Sequence, residues 1–101
     1  MGLDIHGKTL NQGRVNVLAS SPATIIVPLN PKRSRVSFQV TDPDNYVFLG
    51  NSGVILGQGI GLVGAAAGTY ERQIFTMHTK AAVYGMAEDH DQNVLWLEET
   101  E

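Results

Sequence analysis

Short stretches in which apolar and polar residues alternate, separated by turn-forming residues, run through the whole sequence. In residues 35–41, Val36, Phe38 and Val40 alternate with polar residues, which is the period-two pattern of a strand with one buried face. Similar apolar or β-branched stretches predict further strands at 15–18, 24–29, 45–49, 70–75, 81–86 and 93–98. The connections between them are rich in Pro, Asp, Asn and Gly, which favour turns.

Helical periodicity is nearly absent, and the alanines at 65–67 are bracketed by Gly64 and Gly68. The pattern therefore predicts an all-β fold: a small antiparallel β-sandwich, jelly-roll or immunoglobulin-like, or a partly closed barrel. The first twenty residues carry three glycines and few large apolar groups. We expect residues 1–22 to form an extended N-terminal arm and residues 23–101 to form the sandwich domain.

Length and composition narrow the class of protein. A chain of 101 residues allows one domain, and 43% hydrophobic residues argue against intrinsic disorder. The absence of cysteine excludes a disulfide scaffold, Cys-ligated zinc and thiol catalysis. No apolar run approaches the roughly 20 residues that span a bilayer, and the first six residues lack the features of a signal peptide. We expect a soluble protein with no membrane partner that is made inside the cell.

The net charge of −3 is unevenly divided along the chain, because residues 1–50 carry +2 and residues 51–101 carry −5. An acidic protein is a poor candidate for binding nucleic acid, since phosphate binding needs a net basic face. The only basic cluster is Lys32-Arg33-Ser34-Arg35. It is more typical of the exposed start of a strand than of a phosphate site.

Two segments match the sequence patterns of ligand-binding sites but lack the neighbouring elements or residues that such sites require. Residues 59–64 match the dinucleotide fingerprint G-x-G-x-x-G, yet no helix follows them and no βαβ unit surrounds them. We expect a Gly-rich loop between two strands, with its apolar residues under the sandwich, and no cofactor. Residues 89–93 begin like a calcium loop, but Val94 and Thr100 stand where Gly and Glu are required. An exposed turn is favoured there, with a bound divalent cation as the alternative.

Catalysis is not expected. The histidines are His6, His78 and His90, of which only His78 lies beside a predicted strand end. The adjacent Glu98 and Glu99 point to opposite faces of a strand, so they cannot act as paired carboxylates. Residues 50–53 lack the spacing of a nucleophile elbow.

The last predicted strand is apolar on both faces. Trp96 shares a face with Val94, while Leu95 and Leu97 point the other way. Such a strand is either central between two layers or in contact with another subunit on one side. The alternative is a sugar-stacking platform, for which the candidate rings are Tyr46, Phe48, Tyr70, Tyr84 and Trp96.

Six segments, taken in order, resemble small β-sandwich virion proteins of tailed bacteriophages, which decorate capsids or form head fibres. The resembling segments are residues 30–38, 46–52, 59–62, 70–71, 82–87 and 94–99. The resemblance implies a non-enzymatic structural protein on the capsid surface, made in the host cytoplasm. It also implies the major capsid protein as partner and a homo-oligomer, with a homotrimer expected first.

The residues expected to contact the capsid or other subunits are the basic and apolar ones singled out above. They are Arg14, Lys32, Arg33, Arg35, Leu95, Trp96 and Leu97. We expect the arm and the basic cluster to serve as the anchor. Two other functions stay open: a component of the phage tail, neck or fibre base, and a module that binds host-surface glycans through its aromatic side chains.

Overall fold

The computed structural model describes residues 4–5, 8–64 and 74–101. Nine strands are present in these ranges and no helix. The strands are β1 (Asp4–Ile5), β2 (Lys8–Val17), β3 (Thr24–Val27), β4 (Arg33–Val40), β5 (Val47–Gly50), β6 (Ile60–Leu62), β7 (Ile74–Met77), β8 (Val83–Ala87) and β9 (Gln92–Thr100). Among the described residues, no helix has the length and the apolar composition needed to span a membrane.

The strands form two antiparallel sheets, which confirms the all-β sandwich prediction. One sheet has five strands in the order β1-β2-β9-β4-β7, and the other has four in the order β3-β8-β5-β6. The long strand β9 is central in its sheet, because it pairs with β2 along one edge and with β4 along the other. The sandwich is flat, with Cα extents of 40 × 34 × 20 Å.

The core lies between the sheets and follows the alternation read from the sequence. In β4 the buried residues Val36, Phe38 and Val40 face inward, and their polar neighbours face outward. Val47 and Leu49 of β5 meet them from the opposite sheet within one apolar cluster. The strand β3 ends at Val27, immediately before Pro28, as expected for a residue that cannot donate a ladder hydrogen bond.

The N-terminal boundary differs from the prediction. Residues 8–17, expected within an arm, form β2, which pairs with β9 from Thr9 to Val17. The strand predicted at 15–18 marks only the end of β2, and the pattern hid its earlier part because a glycine, Gly13, stands at an inward position opposite Trp96. A Cβ at Gly13 would lie 2.7 Å from the indole ring, so the ring of Trp96 fills the space that a side chain on β2 would otherwise occupy.

The Gly-rich segment contains a short strand instead of being loop throughout. The strand β6 pairs with β5, and Leu62 is buried as expected, whereas Ile60 is exposed. The alanines at 65–67 and the first part of the strand predicted at 70–75 lie outside the described residues. The described part of that prediction begins at Ile74, where β7 pairs with β4.

Candidate functional site: two sheet faces and two ends of the sandwich

The structure separates the residues of the basic cluster. Lys32 is exposed in the turn before β4, and Arg35 is exposed on the outer side of the sheet, where it pairs with Glu99 at 3.0 Å. Arg33 is only 1% exposed and lies inside the sandwich. Its side chain is therefore not available for the capsid or subunit contact predicted for it.

Arg33 instead joins four segments at one end of the molecule. Its Nε donates to Glu98 Oε2 at 2.8 Å, and its two Nη groups donate to the carbonyls of Pro28 at 2.6 Å and Ala81 at 2.9 Å. Lys80 Nζ donates to the carbonyl of Arg33 itself. The guanidinium thus fastens the end of β3 and the loop before β8 to the start of β4 and the end of β9.

Strict alternation could not have placed Arg33 inside. Counting back from Val36 in steps of two puts Ser34 on the inner face and Arg33 on the outer one. The pairing of β4 with β9 shifts between Arg33 and Arg35, and this irregularity turns Arg33 inward. A bulge of this kind has no signal in the hydrophobic pattern.

The outer surface of the five-stranded sheet, here called the β9 face, brings together four of the predicted contact residues. Leu95 and Leu97 occupy its centre with 37% and 43% of their surface exposed. Arg14 on β2 lies opposite Leu95, and Arg35 on β4 lies opposite Glu99. The predicted contacts at Arg14, Arg35, Leu95 and Leu97 therefore share one surface.

A groove of about 750 Å³ runs across the β9 face. Its outward-facing lining consists of Gln12, Arg14, Ser37, Gln39, Ile74, Leu95 and Leu97. A smaller depression of about 210 Å³ continues it past Leu97 toward Arg35 and Glu99. Arg14 has no carboxylate partner among the described residues, whereas Arg35 is paired, so the described groups give this face a net positive charge.

Trp96 lies on the other side of β9, as the sequence predicted from its shared face with Val94. It packs half-buried against the core cluster, and its Nε1 is buried with no hydrogen-bond partner among the described residues. Its ring therefore contributes to the inner layer and not to the centre of the β9 face.

The outer surface of the four-stranded sheet, here called the tyrosine face, gathers aromatic residues that lie up to 38 positions apart in the sequence. Tyr46 and Phe48 have ring centroids 6.1 Å apart with an interplanar angle of 19°. Tyr84 lies on the same face beside Ile25, and the ring of Phe48 lies over Gly61. Tyr70 lies outside the described residues.

One end of the sandwich is strongly acidic. The β4–β5 and β8–β9 connections meet there, and five carboxylates stand in them: Asp42, Asp44, Glu88, Asp89 and Asp91. The buried Asn45 joins the two connections, because its Nδ2 donates to the carbonyl of His90 and its Oδ1 accepts from the backbone of Asp89. Sequence reasoning missed Asn45, since an Asn beside Pro and Asp is typical of any turn.

In the turn at 89–93, the side chains of Asp91 and Gln92 form hydrogen bonds to backbone groups of the protein. Asp91 Oδ1 accepts a hydrogen bond from the backbone N–H of Ala19 at 2.8 Å, and Gln92 Nε2 donates to the carbonyl of Asn45. In the part of the chain that the structure describes, no group of three or more His, Asp or Glu side chains is arranged to hold a metal ion.

The histidines and the Asn51-Ser52 turn are spread over the molecule. His90 Nε2 lies 2.8 Å from Asp42 Oδ2 at the acidic end, and His78 is exposed in the loop after β7. Asn51 Oδ1 accepts from the backbone of Gly53, which closes a tight turn after β5. His6 lies outside the described residues.

The carboxyl of Asp42 favours its ionised form. The backbone N–H of Asp44, which donates to Asp42 Oδ1 at 2.9 Å, lowers the pKa of Asp42 below its ordinary value of 3.8, and the hydrogen bond and charge of His90 lower it further. Desolvation opposes these effects without reversing them. Asp42 is thus a negatively charged link between the two connections.

Replacing Asp42 by Asn is expected to lower Tm slightly at neutral pH and by less in acid. A carboxyl whose pKa is lowered by folding stabilises the folded state above about 3.8, and this contribution is lost as pH falls through the lowered folded-state pKa. Circular-dichroism melts of wild type and Asp42→Asn from about pH 7 to about pH 2 should therefore converge at the acid end. Asp44→Asn is the control, and a difference that stays constant to the acid end would contradict the assignment.

No family model, no curated protein and no solved structure matches the chain. The surfaces described above, together with the sequence resemblance, are the basis on which a function is proposed.

Proposed function

We propose that the chain is a non-enzymatic structural protein of a bacteriophage particle that binds the outside of the capsid through its β9 face. The ordered resemblance of residues 30–99 to small virion proteins supports the setting. The observation that carries the proposal is the apolar centre of the β9 face, formed by Leu95 and Leu97 on a strand that is central in its sheet.

The composition of β9 is that of a strand covered on both sides. Its inner residues Val94 and Trp96 pack against the core, and its outer residues repeat the apolar pattern without a covering layer among the described residues. Fully burying a leucine is worth about 1.5–3 kcal/mol relative to leaving it exposed, so covering the exposed parts of Leu95 and Leu97 favours a protein contact. Many copies on one particle would add such contacts together.

The charge of the β9 face indicates which protein surface it fits. Arg14 supplies a positive charge without a partner among the described residues, in a chain whose net charge is −3. An acidic patch on the major capsid protein would complement it, because complementary charges favour docking in one orientation and repel wrong ones.

Replacing Leu97 by Asp is expected to weaken binding to bare capsids at least tenfold, because it puts a charge in the apolar centre of the contact. Co-sedimentation of purified protein with capsids that lack it would measure the loss. Ile55→Asp is the matched control, since Ile55 is 50% exposed but lies in the loop between β5 and β6. Equal binding by Leu97→Asp and wild type would contradict the proposal, and binding to tails but not to capsids would favour the tail or neck alternative.

The tyrosine face supports a second candidate, a module that binds host-surface glycans. Tyr46, Phe48 and Tyr84 present aromatic surface of the kind that stacks on sugar rings, with Tyr46 43% exposed. A glycan array would test this candidate directly. Binding that is lost in Tyr46→Ala, together with no affinity for capsids, would favour it over the structural role.

A further inference from the structure

We propose that copies of this chain associate head to tail, with the β9 face of one copy packed on the tyrosine face of the next. The inference goes beyond the proposed function because it concerns contacts between copies, and it is tested without capsids. In such a stack only the copy at one end keeps its β9 face free for the capsid contact proposed above. It rests on three properties of the two surfaces: their opposite charge, their matching apolar centres, and their positions on opposite sides of the sandwich.

The tyrosine face is apolar at its centre and negative at its rim. Met86 faces outward between Phe48 and Tyr84, yet it is only 6% exposed. The backbone N–H of Glu88 donates to the carbonyl of Tyr46 at 2.9 Å, so the two residues lie opposite each other. Strand alternation therefore puts the exposed carboxylate of Glu88 on the same face as the ring of Tyr46. Tyr, Phe and Met are the residue types enriched at the centres of protein interfaces.

The charges of the two faces are complementary and lie on the same lateral side of the molecule. Arg14 on β2 has no carboxylate partner among the described residues, and Glu88 makes no ion pair among them either. The strand β2 contacts β3 and β8 of the opposite sheet, and the carbonyl of Leu18 accepts from the backbone of Ala87, beside Glu88. Copies stacked with their strands aligned therefore bring Arg14 of one copy to the side on which the next copy carries Glu88.

The size of the two faces is that of a small contact. At about 3.3 Å per residue and about 4.8 Å between strands, the strand residues of the five-stranded sheet cover roughly 500 Å² and those of the four-stranded sheet roughly 250 Å². The contact is therefore smaller than the roughly 800 Å² per partner of a standard protein interface, and its size is that of a weak, concentration-dependent association. Because the two faces lie on opposite sides of a two-layer sandwich, each added copy leaves both kinds of face free at the ends. Such a contact extends into an open stack, unlike the closed trimer that the resemblance implies.

A charge-exchange mixing experiment tests the inference. Arg14→Glu puts like charges across the contact, and so does Glu88→Arg, so each variant alone is expected to associate at least tenfold more weakly than wild type. Mixed in equal amounts, the two variants restore an opposite pair at every contact of an alternating stack. Analytical ultracentrifugation over a range of concentrations should show wild type and the mixture growing without a plateau, and each variant alone remaining small.

Two variants control for net charge. Lys32→Glu and Asp44→Arg change the net charge by the same amounts as the two test variants, but their sites lie off both faces in exposed turns. They are expected to associate as wild type does, and matching melting curves would show that all variants fold. A wild type that stays monomeric, a mass that levels off at two or three copies, or a mixture that associates no better than its components would overturn the inference.

Discussion

Arg33→Ala is expected to lower the free energy of unfolding by about 3–5 kcal/mol, which is the range for removing one partner of a buried ion pair. The substitution would leave Glu98 charged and enclosed, with Asn11 and Asn30 as its remaining described side-chain donors at 3.3 and 3.5 Å. The carbonyls of Pro28 and Ala81 would lose their hydrogen bonds to the guanidinium as well. Urea unfolding monitored by Trp96 fluorescence would measure the change.

Arg35→Ala provides the comparison for that prediction. Arg35 also pairs with a glutamate, at 3.0 Å, but its side chain is 55% exposed, so its loss should cost only about 0–1 kcal/mol. A double variant, Arg33→Met with Glu98→Leu, removes both charges and should recover most of the lost stability. Similar losses for Arg33→Ala and Arg35→Ala would show that the buried pair does not hold this end of the sandwich together.

The hydrogen bonds around Arg33 give the turn at residues 30–33 a structural role. Asn30 Oδ1 accepts from the backbone of Lys32, which forms the turn, and the backbone of Arg33 donates to the carbonyl of Asn30. The turn delivers the guanidinium inward at the start of β4. The turn at residues 30–33 therefore has a role in folding, since it places Arg33 inside the sandwich and not in an exposed basic cluster.

Strands with strong alternation could be predicted from the sequence, and those that depend on a partner could not. Val36, Phe38 and Val40 form an inward row because burial selects apolar residues at every second position. In β2 the inward positions include Thr9, Asn11 and Gly13, and only pairing with β9 gives them an inner face. A pattern within ten residues carries no information about a strand that lies 80 positions away.

The candidate surfaces likewise differ in whether local alternation or pairing with a distant strand determines them. Leu95 and Leu97 could be placed on one face by alternation alone, since that depends only on neighbours in β9. Grouping Tyr46, Phe48 and Tyr84 required the pairing of β5 with β8, which is set by the whole sheet. The acidic end likewise forms only because Asn45 joins two turns that are more than 40 residues apart.

Gly59→Ala is expected to lower the free energy of unfolding by about 2–5 kcal/mol, from two separate causes. Gly59 has a φ of 71°, a left-handed conformation that costs an L residue roughly 1–2 kcal/mol. In addition, a Cβ at this position would collide with the backbone carbonyl oxygen of Leu49, which belongs to β5 and cannot move without breaking its pairing. Overpacking of this kind costs about 1–3 kcal/mol more.

Gly57→Ala separates the two causes. Gly57 has a similar φ of 80°, but nothing lies within 4 Å of the position that its Cβ would take. Its replacement should therefore show the conformational cost alone, about 1–2 kcal/mol. If chemical denaturation gave equal losses for the two variants, the close approach of Gly59 to β5 would not matter. A clearly larger loss for Gly59→Ala would show that the Gly-rich segment, whose letters match a dinucleotide fingerprint, needs its glycine to let β6 pair with β5.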